Sequence, residues 1–221
     1  MAGASASLAT VAAAFPPLRA HAAAAHVLPA LPCLENALDP VSAANTVAFH
    51  YGKHDRGYVD NLNRLVAGSA FADTPLAQIV RTTATRAEPA AVFNHAAQIC
   101  KHGFYWQSLK PRGGGEPPAL LRQRLEASFG SVDACRKEFA GAARSQLASG
   151  WAWLVADGDR IRGIRTSNAE TPLTTGGKPL LTIDPWEHAY CLDHRKRRAD
   201  YGSAVLDRML DWEFALQKLS A

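Results

Sequence analysis

The hydrophobic pattern of the chain changes from helical to strand-like across one segment rich in glycine and proline. Before it, apolar side chains recur at spacings of mostly three, four and seven, which predicts helices over residues 42–67, 74–83 and 89–109. The glycines at 113–115 and the pair Pro117-Pro118 then interrupt the pattern. Beyond them, two further helices are predicted at 119–129 and 132–147. The first half of the chain is therefore expected to be entirely helical.

The second half also contains a predicted β-hairpin. The runs at 151–157 and 160–167 are strand-like, and Asp157-Gly158-Asp159 between them is typical of a tight turn. A third strand is expected at 180–184 and a closing helix at 201–219. The predicted fold class is α+β, with an N-terminal helical hairpin domain at 27–112. A C-terminal α/β domain with a small antiparallel three-stranded sheet follows at 118–221.

The first residues differ from the rest in composition. They are rich in alanine, and no acidic residue occurs before Glu35. Residues 1–26 therefore suit an organelle transit peptide or a disordered leader. A transit peptide would place the protein in a mitochondrion or plastid, and otherwise we expect it in the cytoplasm. Prolines and basic residues interrupt every apolar run before it reaches the roughly 18 residues that span a bilayer, so no membrane segment is expected.

Composition and charge limit the partners and the redox chemistry. The chain is 48% hydrophobic and 20% charged, as in ordinary globular proteins. Its four cysteines form no CxxC pair, which predicts free thiols in a reducing compartment. The formal charge of +4 is too mild to indicate a nucleic-acid binder. The basic run at 194–198 is interpreted as a solvated loop that could also steer a small anion.

Several polar side chains recur at helical spacing and could share a metal ion. His50, His54 and Tyr58 follow one another at i, i+4 and i+8, and Gln98 precedes His102 by four residues. Taken alone, each set could be a surface stripe of satisfied polar groups. Asp184 and His188 add a carboxylate and a third imidazole four residues apart. Three imidazoles and one carboxylate together suit iron, manganese or zinc.

The sequence motifs around these residues resemble those of the iron/manganese superoxide dismutase family. HYGKH, FNHAAQICKHGFYW, GWAWLV, TSNAETPLTT and DPWEHAY occur in that order, and the resemblance extends from Leu28 to Leu219. It implies that one metal ion per subunit converts superoxide, the substrate, to oxygen and hydrogen peroxide without an organic cofactor. The implied metal ligands are His50, His102, Asp184 and His188.

The resemblance also implies roles for residues around the metal. Iron-type members supply an active-site glutamine from the position of Gln98, whereas manganese-type members usually supply it from the position of Ala169. We therefore expect iron, with manganese as a second possibility. Tyr58 and His54 match a gateway pair that relays protons and admits the anion, and Trp151 matches a wall of the cavity. Glu187 matches a carboxylate that reaches across a twofold homodimer.

Some positions depart from the family pattern. Cys191 replaces a common tyrosine, Asp55 replaces the second histidine of the HYGKHH motif, and Cys100 replaces a tryptophan. These changes leave open a metal-binding but weakly active homologue with a non-catalytic role. A zinc metallohydrolase that uses the same ligands is a third hypothesis, although Gln98 and Tyr58 fit redox tuning better.

Overall fold

A computed structural model describes residues 25–221 of the protein, so the predicted leader lies outside the described residues except for its last two. The first half is helical, as predicted. Its helices are α1 (Ala44–Phe49), α2 (Arg56–Val66), α3 (Leu76–Thr83) and α4 (Ala90–Gln107). The predicted long helix over 42–67 is confirmed as continuous helical backbone over 44–66, and a π-helical segment, His50–Asp55, divides it into α1 and α2. Among the described helices, none is both long and apolar enough for a membrane span.

Helices α2, α3 and α4 pack around an aliphatic core that belongs to the first half. Its buried side chains include Leu62, Ile79, Val80 and Ile99. Ala169, from the connection between the strands of the second half, joins the same cluster. The hairpin of helices therefore presents one face to the rest of the chain rather than standing apart from it.

The second half contains helices on a three-stranded antiparallel sheet, as predicted. The helices before the sheet are α5 (Ala119–Phe129) and α6 (Val132–Ser145). The strands are β1 (Gly150–Asp157), β2 (Arg160–Ser167) and β3 (Lys178–Ile183), and they lie in the order β2-β1-β3. Three helices follow, namely α7 (Cys191–His194), α8 (Arg198–Arg208) and α9 (Trp212–Ser220).

The main hydrophobic core contains side chains from both halves of the chain. Trp151 and Trp153 of the central strand are fully buried in it, and Tyr105, Trp106 and Leu109 reach it from the end of α4 and the residues that follow. Helix α4 thus belongs to the core of each half. The domain bounds 27–112 and 118–221 remain a prediction, since the packing continues across the segment that separates them.

The predicted closing helix at 201–219 is wrong, because the chain breaks between α8 and α9. The carbonyl oxygens of Met209 and Leu210 accept hydrogen bonds from the backbone N–H groups of Lys110 and Gly114, at 2.7 and 2.8 Å. Gly114 has a φ of +72°, and a Cβ there would lie 2.1 Å from the carbonyl oxygen of Asp207. Only glycine allows this close approach. The segment from Lys110 to Gly114 is therefore attached to the residues at the end of α8 and just after it.

Helix α9 restarts at a capping residue, and this cap can be tested. Asp211 Oδ1 accepts hydrogen bonds from the backbone N–H groups of Glu213 and Phe214, at 3.0 and 3.2 Å. We expect Asp211→Ala to lower the free energy of unfolding by about 1 kcal/mol, because two N–H groups lose their acceptor. Urea denaturation would measure the loss. Glu116→Ala, which removes an exposed ion pair with Arg122, is the control and should cost less. Equal losses would contradict the capping role.

Candidate metal centre

The predicted ligands lie together in one buried cavity. Asp184 Oδ2 is 3.2 Å from Nε2 of His50, and 3.6 Å from Nε2 of both His102 and His188. All four ligand atoms lie within 4.8 Å of one another. His50, His102 and Asp184 are buried, and His188 is nearly so. The four atoms are buried, and none has a hydrogen-bond partner among the described residues.

Four separate backbone elements carry these side chains. His50 is the first residue of the π-helical segment, and His102 lies in α4. Asp184 directly follows β3, and His188 lies in a short 3₁₀ turn, Glu187–Ala189. The helical half and the sheet half thus contribute two ligands each. The cavity exists only where the two halves pack together.

Hydrogen bonds on the far side of two ligands orient them toward the cavity. His102 Nδ1 donates to the backbone carbonyl oxygen of Gln98 at 2.8 Å, which leaves Nε2 free to coordinate. The backbone N–H of Trp186 donates to Asp184 Oδ1 at 2.9 Å, which turns Oδ2 toward the imidazoles. Such outer contacts fix the tautomer and direction of a metal ligand.

The protonation states also suit a metal ion. Burial lowers the pKa of His50 to about 4 and holds the pKa of His102 well below its usual range. Burial alone would raise the pKa of Asp184, but the neighbouring His188 and His50 outweigh it and hold that pKa well below its usual range. Neutral imidazoles and an ionised carboxylate are the forms that bind metals.

Aromatic rings form the walls of the cavity. The Trp106 ring centroid lies 4.9 Å from that of His50, and the Trp151 centroid lies 4.8 Å from that of His102. Trp186 lies 5.5 Å from His188. These rings exclude water from the ligands, and a low local dielectric strengthens the electrostatic interactions inside. Trp151 therefore lies next to a ligand, and its role as a wall of the cavity stays a prediction.

The predicted gateway residues lie beside the ligands and are only partly buried. The His54 ring stacks on that of His188, with centroids 4.3 Å apart. The Tyr58 ring lies 5.5 Å from that of His102. Burial, together with the carboxylates of Asp184 and Asp55, raises the pKa of Tyr58 to about 12. The phenol therefore keeps its proton at neutral pH, and the gateway role of both residues stays a prediction.

Gln98 and Ala169, the positions that separate iron-type from manganese-type members, are both buried. Gln98 Oε1 has no hydrogen-bond partner among residues 25–221. One helical turn separates Gln98 from His102, so its amide lies on the side of α4 that carries a ligand. Ala169 offers no polar atom and packs in the aliphatic core of the helical half.

The side chain of Glu187, which is predicted to reach across a twofold homodimer, is exposed in the single chain. Cys191 is exposed as well. Both lie next to the site in sequence, on the short elements that follow β3. Their predicted contacts with a second subunit are not tested by a single chain.

Asp55 is a functional candidate that sequence reasoning noted only as a departure from the family. The π-helical turn directs it inward, where it is fully buried. Its Oδ2 accepts a hydrogen bond from Trp106 Nε1 at 2.7 Å, and its Oδ1 lies 3.4 Å from His102 Nε2. Burial, and to a lesser extent Asp184, raises the pKa of Asp55 to about 8, although the hydrogen bond from Trp106 opposes this. The sequence hint was an acidic residue five positions after a ligand, inside an otherwise aromatic and basic stripe.

The cavity fits a resident metal ion because of its orphaned atoms. Three imidazole nitrogens and one carboxylate oxygen converge without a donor or acceptor to satisfy them. Buried polar atoms of this kind are costly unless they are paired. A divalent or trivalent cation would satisfy all four together.

Comparisons with known proteins assign the family. Two family models match the chain: iron/manganese superoxide dismutases, alpha-hairpin domain, over residues 25–110, and iron/manganese superoxide dismutases, C-terminal domain, over residues 117–218. The chain belongs to this family. It is 43% identical to a "Superoxide dismutase [Fe]" of Synechocystis sp. over 197 residues. This match covers 89% of this chain and 99% of the relative.

Two further relatives carry the same name. The chain is 45% identical to a "Superoxide dismutase [Fe]" of Salmonella typhimurium and 44% identical to that of Escherichia coli (strain K12). Each match extends over 195 residues, 88% of this chain and 98% of the relative. The resemblance inferred from the sequence motifs is confirmed.

The buried Asp55 predicts a pH dependence of the metal-free protein. Its raised pKa means that the folded state holds a proton which the unfolded chain releases above about pH 4. The contribution of Asp55 to stability is therefore fully present below pH 4 and is lost as the pH rises toward 8. Asp55→Asn removes this dependence and keeps an acceptor for Trp106. We expect the metal-free variant to gain melting temperature relative to the parent between pH 5 and pH 8.

Thermal unfolding of both metal-free proteins at several pH values would measure that difference. Asp157→Asn, which changes an exposed carboxylate paired with Arg162, is the matched control and should leave the pH profile unchanged. The same difference in melting temperature at pH 5 and pH 8 would show that Asp55 is not responsible.

Proposed function

We propose that this protein is a superoxide dismutase that uses one iron ion, bound by His50, His102, Asp184 and His188. The observation that carries the proposal is the convergence of four buried, unpaired ligand atoms in a chain of this family. The iron assignment draws on relatives named for iron that match nearly the whole chain. Dismutation converts superoxide, the substrate, to oxygen and hydrogen peroxide.

The metal ion supplies one-electron oxidation and reduction of superoxide when it is bound. The protein residues control which molecules reach the metal ion and the protonation state of the groups around it. Neutral His50 and His102 add no charge to the cavity, so a single ionised carboxylate, Asp184, offsets part of the charge of the cation. Trp151 and Trp186 keep bulk water away from the ligands. Tyr58 and His54, which are only partly buried, relay protons and admit the anion.

Gln98 favours iron over manganese in this proposal. Its amide lies one helical turn before His102, and Ala169 cannot supply a second amide. An amide near the metal shifts the balance between its oxidation states, and the element that supplies the amide sets its distance. Iron is therefore the expected metal, with manganese as a weaker substitute.

Metal reconstitution tests the proposed function. We expect iron-loaded protein to dismutate superoxide clearly faster than manganese-loaded protein. The reason is that Gln98, at the iron-type position, supplies the amide, whereas Ala169, at the manganese-type position, has none. The measurement is metal content by mass spectrometry together with superoxide turnover. Asp184→Ala should lose both metal and activity, since it removes one of four ligands.

Each other outcome identifies a different function. Stoichiometric metal without turnover would support the weakly active homologue, and zinc as the resident metal would support a hydrolase. Faster turnover with manganese would overturn the iron assignment. Full metal content and activity in Asp184→Ala would show that the ligand assignment is wrong.

The protein is also proposed to form a symmetric homodimer. Glu187 and Cys191 are exposed beside the site in the single chain, and Leu147, Leu192 and Phe49 are large apolar side chains that remain exposed, with Leu147 at 84%. A twofold partner that covers them would bury Glu187 near a ligand of the other subunit. The resemblance to the family supports this arrangement.

Cys191→Tyr tests the dimer, because it restores the tyrosine common in the family. If Cys191 lies near His54 of the second subunit, the phenol adds a hydrogen bond worth on the order of 1 kcal/mol, so turnover or dimer affinity should rise severalfold. Sedimentation equilibrium and superoxide turnover would measure the two effects. A clash that weakens the dimer would also place the residue at the interface. No change in either quantity would remove Cys191 from the interface.

The location in the cell follows from the leader. Residues 1–26 are proposed to be a transit peptide that directs the protein to a mitochondrion or plastid, and without that function the protein is cytoplasmic. The alanine-rich, acid-free composition supports a transit peptide. The domain bounds 27–112 and 118–221 belong to the same proposal.

A further inference from the structure

A second cavity, separate from the metal centre, lies where α4 meets the sheet and the last helix. Its volume is about 260 Å³. Helix α4 contributes three lining residues, and β1, the connection before β3, β3 itself and α9 contribute the others. The lining residues are Cys100, Lys101, Phe104, Trp153, Thr171, Leu173, Lys178, Pro179 and Lys218.

Three of these residues are lysines, and none of the lining residues is acidic. Within residues 25–221, none of the three ammonium groups has a carboxylate within ion-pair distance. Lys178 Nζ donates to the carbonyl oxygen of Leu219 at 3.1 Å, and Lys218 Nζ lies 4.9 Å from the centroid of the Phe214 ring. These groups are satisfied only by neutral partners. The lining of the cavity therefore carries a net positive charge, and no lining residue is a carboxylate that could balance it.

Lys101 makes the strongest case for a missing anion. Its side chain is fully buried, and its Nζ donates to the carbonyl oxygen of Asn168 at 2.6 Å and lies 5.1 Å from the Trp151 ring centroid. A buried ammonium is costly unless a carboxylate pairs with it. Glu170, two residues after Asn168, accepts a hydrogen bond from the backbone N–H of Ser167 at 3.1 Å and does not form an ion pair with Lys101.

The remaining lining residues do not favour a simple inorganic ion as the ligand of this cavity. Phe104, Trp153, Leu173 and Pro179 offer mainly apolar surface, which an inorganic anion would not cover. The indole N–H of Trp153 already donates to Thr166 Oγ1 at 2.9 Å and is therefore not available to bind an anion in the cavity. A water molecule occupies about 30 Å³, so the cavity has room for about nine groups of that size. A ligand with one charged end and a flat apolar body matches these walls.

Cys100 does not suggest covalent chemistry. Burial raises the pKa of its thiol to about 11, although Arg81 and Lys101 oppose the shift. The thiol therefore keeps its proton at neutral pH and is a poor nucleophile. Reversible binding is the chemistry that these residues support.

We propose that this cavity is a binding site for a small aromatic carboxylate, whose charge pairs with Lys101 and the rim lysines Lys178 and Lys218 while its ring lies against Phe104 and Trp153. The site goes beyond the dismutation of superoxide and does not depend on it. It shares no lining residue with the four metal ligands. The ligand class is identified by charge, size and shape alone.

Titration calorimetry with benzoate tests the proposal on the metal-loaded, full-length protein. Benzamide has the same shape without the charge, and acetate has the charge without the ring. We expect benzoate to bind, and both comparators to bind about tenfold more weakly or worse, because each lacks one of the two interactions. Absence of benzoate binding, or equal affinity for benzoate and benzamide, would overturn the proposal.

Lysine variants locate the binding event. Lys178→Met and Lys218→Met should each weaken benzoate binding about threefold or more. Lys101→Met should weaken it further if the variant folds, and the two partly exposed rim lysines keep the test decisive if it does not. Lys137→Met, an exposed lysine on α6, is the matched control with the same change in net charge and should bind like the parent. Benzoate bound only at the metal centre would leave both rim variants unchanged, and this result would refute the site.

Discussion

The contact between the Asp184 carboxylate and three imidazoles is the constraint on which the rest of the structure depends. Its Oδ2 lies within 3.6 Å of Nε2 of His50, His102 and His188, and all four atoms are buried without a hydrogen-bond partner in the part of the chain that the structure describes. Such a group of polar atoms destabilises a fold unless a cation joins it. Metal binding and folding are therefore coupled at this point, since the unfolded chain cannot hold the four ligands together.

Helix α4 transmits this constraint through the molecule. It carries His102 to the cavity, and Tyr105 and Trp106 to the core shared with the sheet. Two buried polar side chains connect this helix to its neighbours. Asp55 accepts a hydrogen bond from Trp106, and Lys101 donates one to the segment after β2. The first contact joins the two helical elements that carry His50 and His102, and the second joins α4 to the second half, so small movements of α4 would alter the geometry of the cavity.

Local sequence patterns predicted most of the elements, and tertiary contacts explain the failures. The helix predicted at 119–129 and the strand at 160–167 agree with α5 and β2, where one hydrophobic period continues to a clear stop at Gly130 or Asn168. The π-helical segment was not predicted, because it keeps the same apolar spacing as its neighbours. The break at 209–211 was missed because backbone hydrogen bonds from Lys110 and Gly114, distant in sequence, hold it open.

The sequence by itself determined the fold class and the order of the elements, because the hydrophobic period is a local property of the chain, and the resemblance of its motifs to the family implied the four ligands. Only the tertiary structure decided which polar residues are buried away from water. Asp55 and Lys101 could each have been surface charges but are buried, whereas Glu187 is exposed in the single chain. The burial of a side chain depends on which distant segments cover it, and with burial come the pKa of Asp55 and the unpaired charge of Lys101.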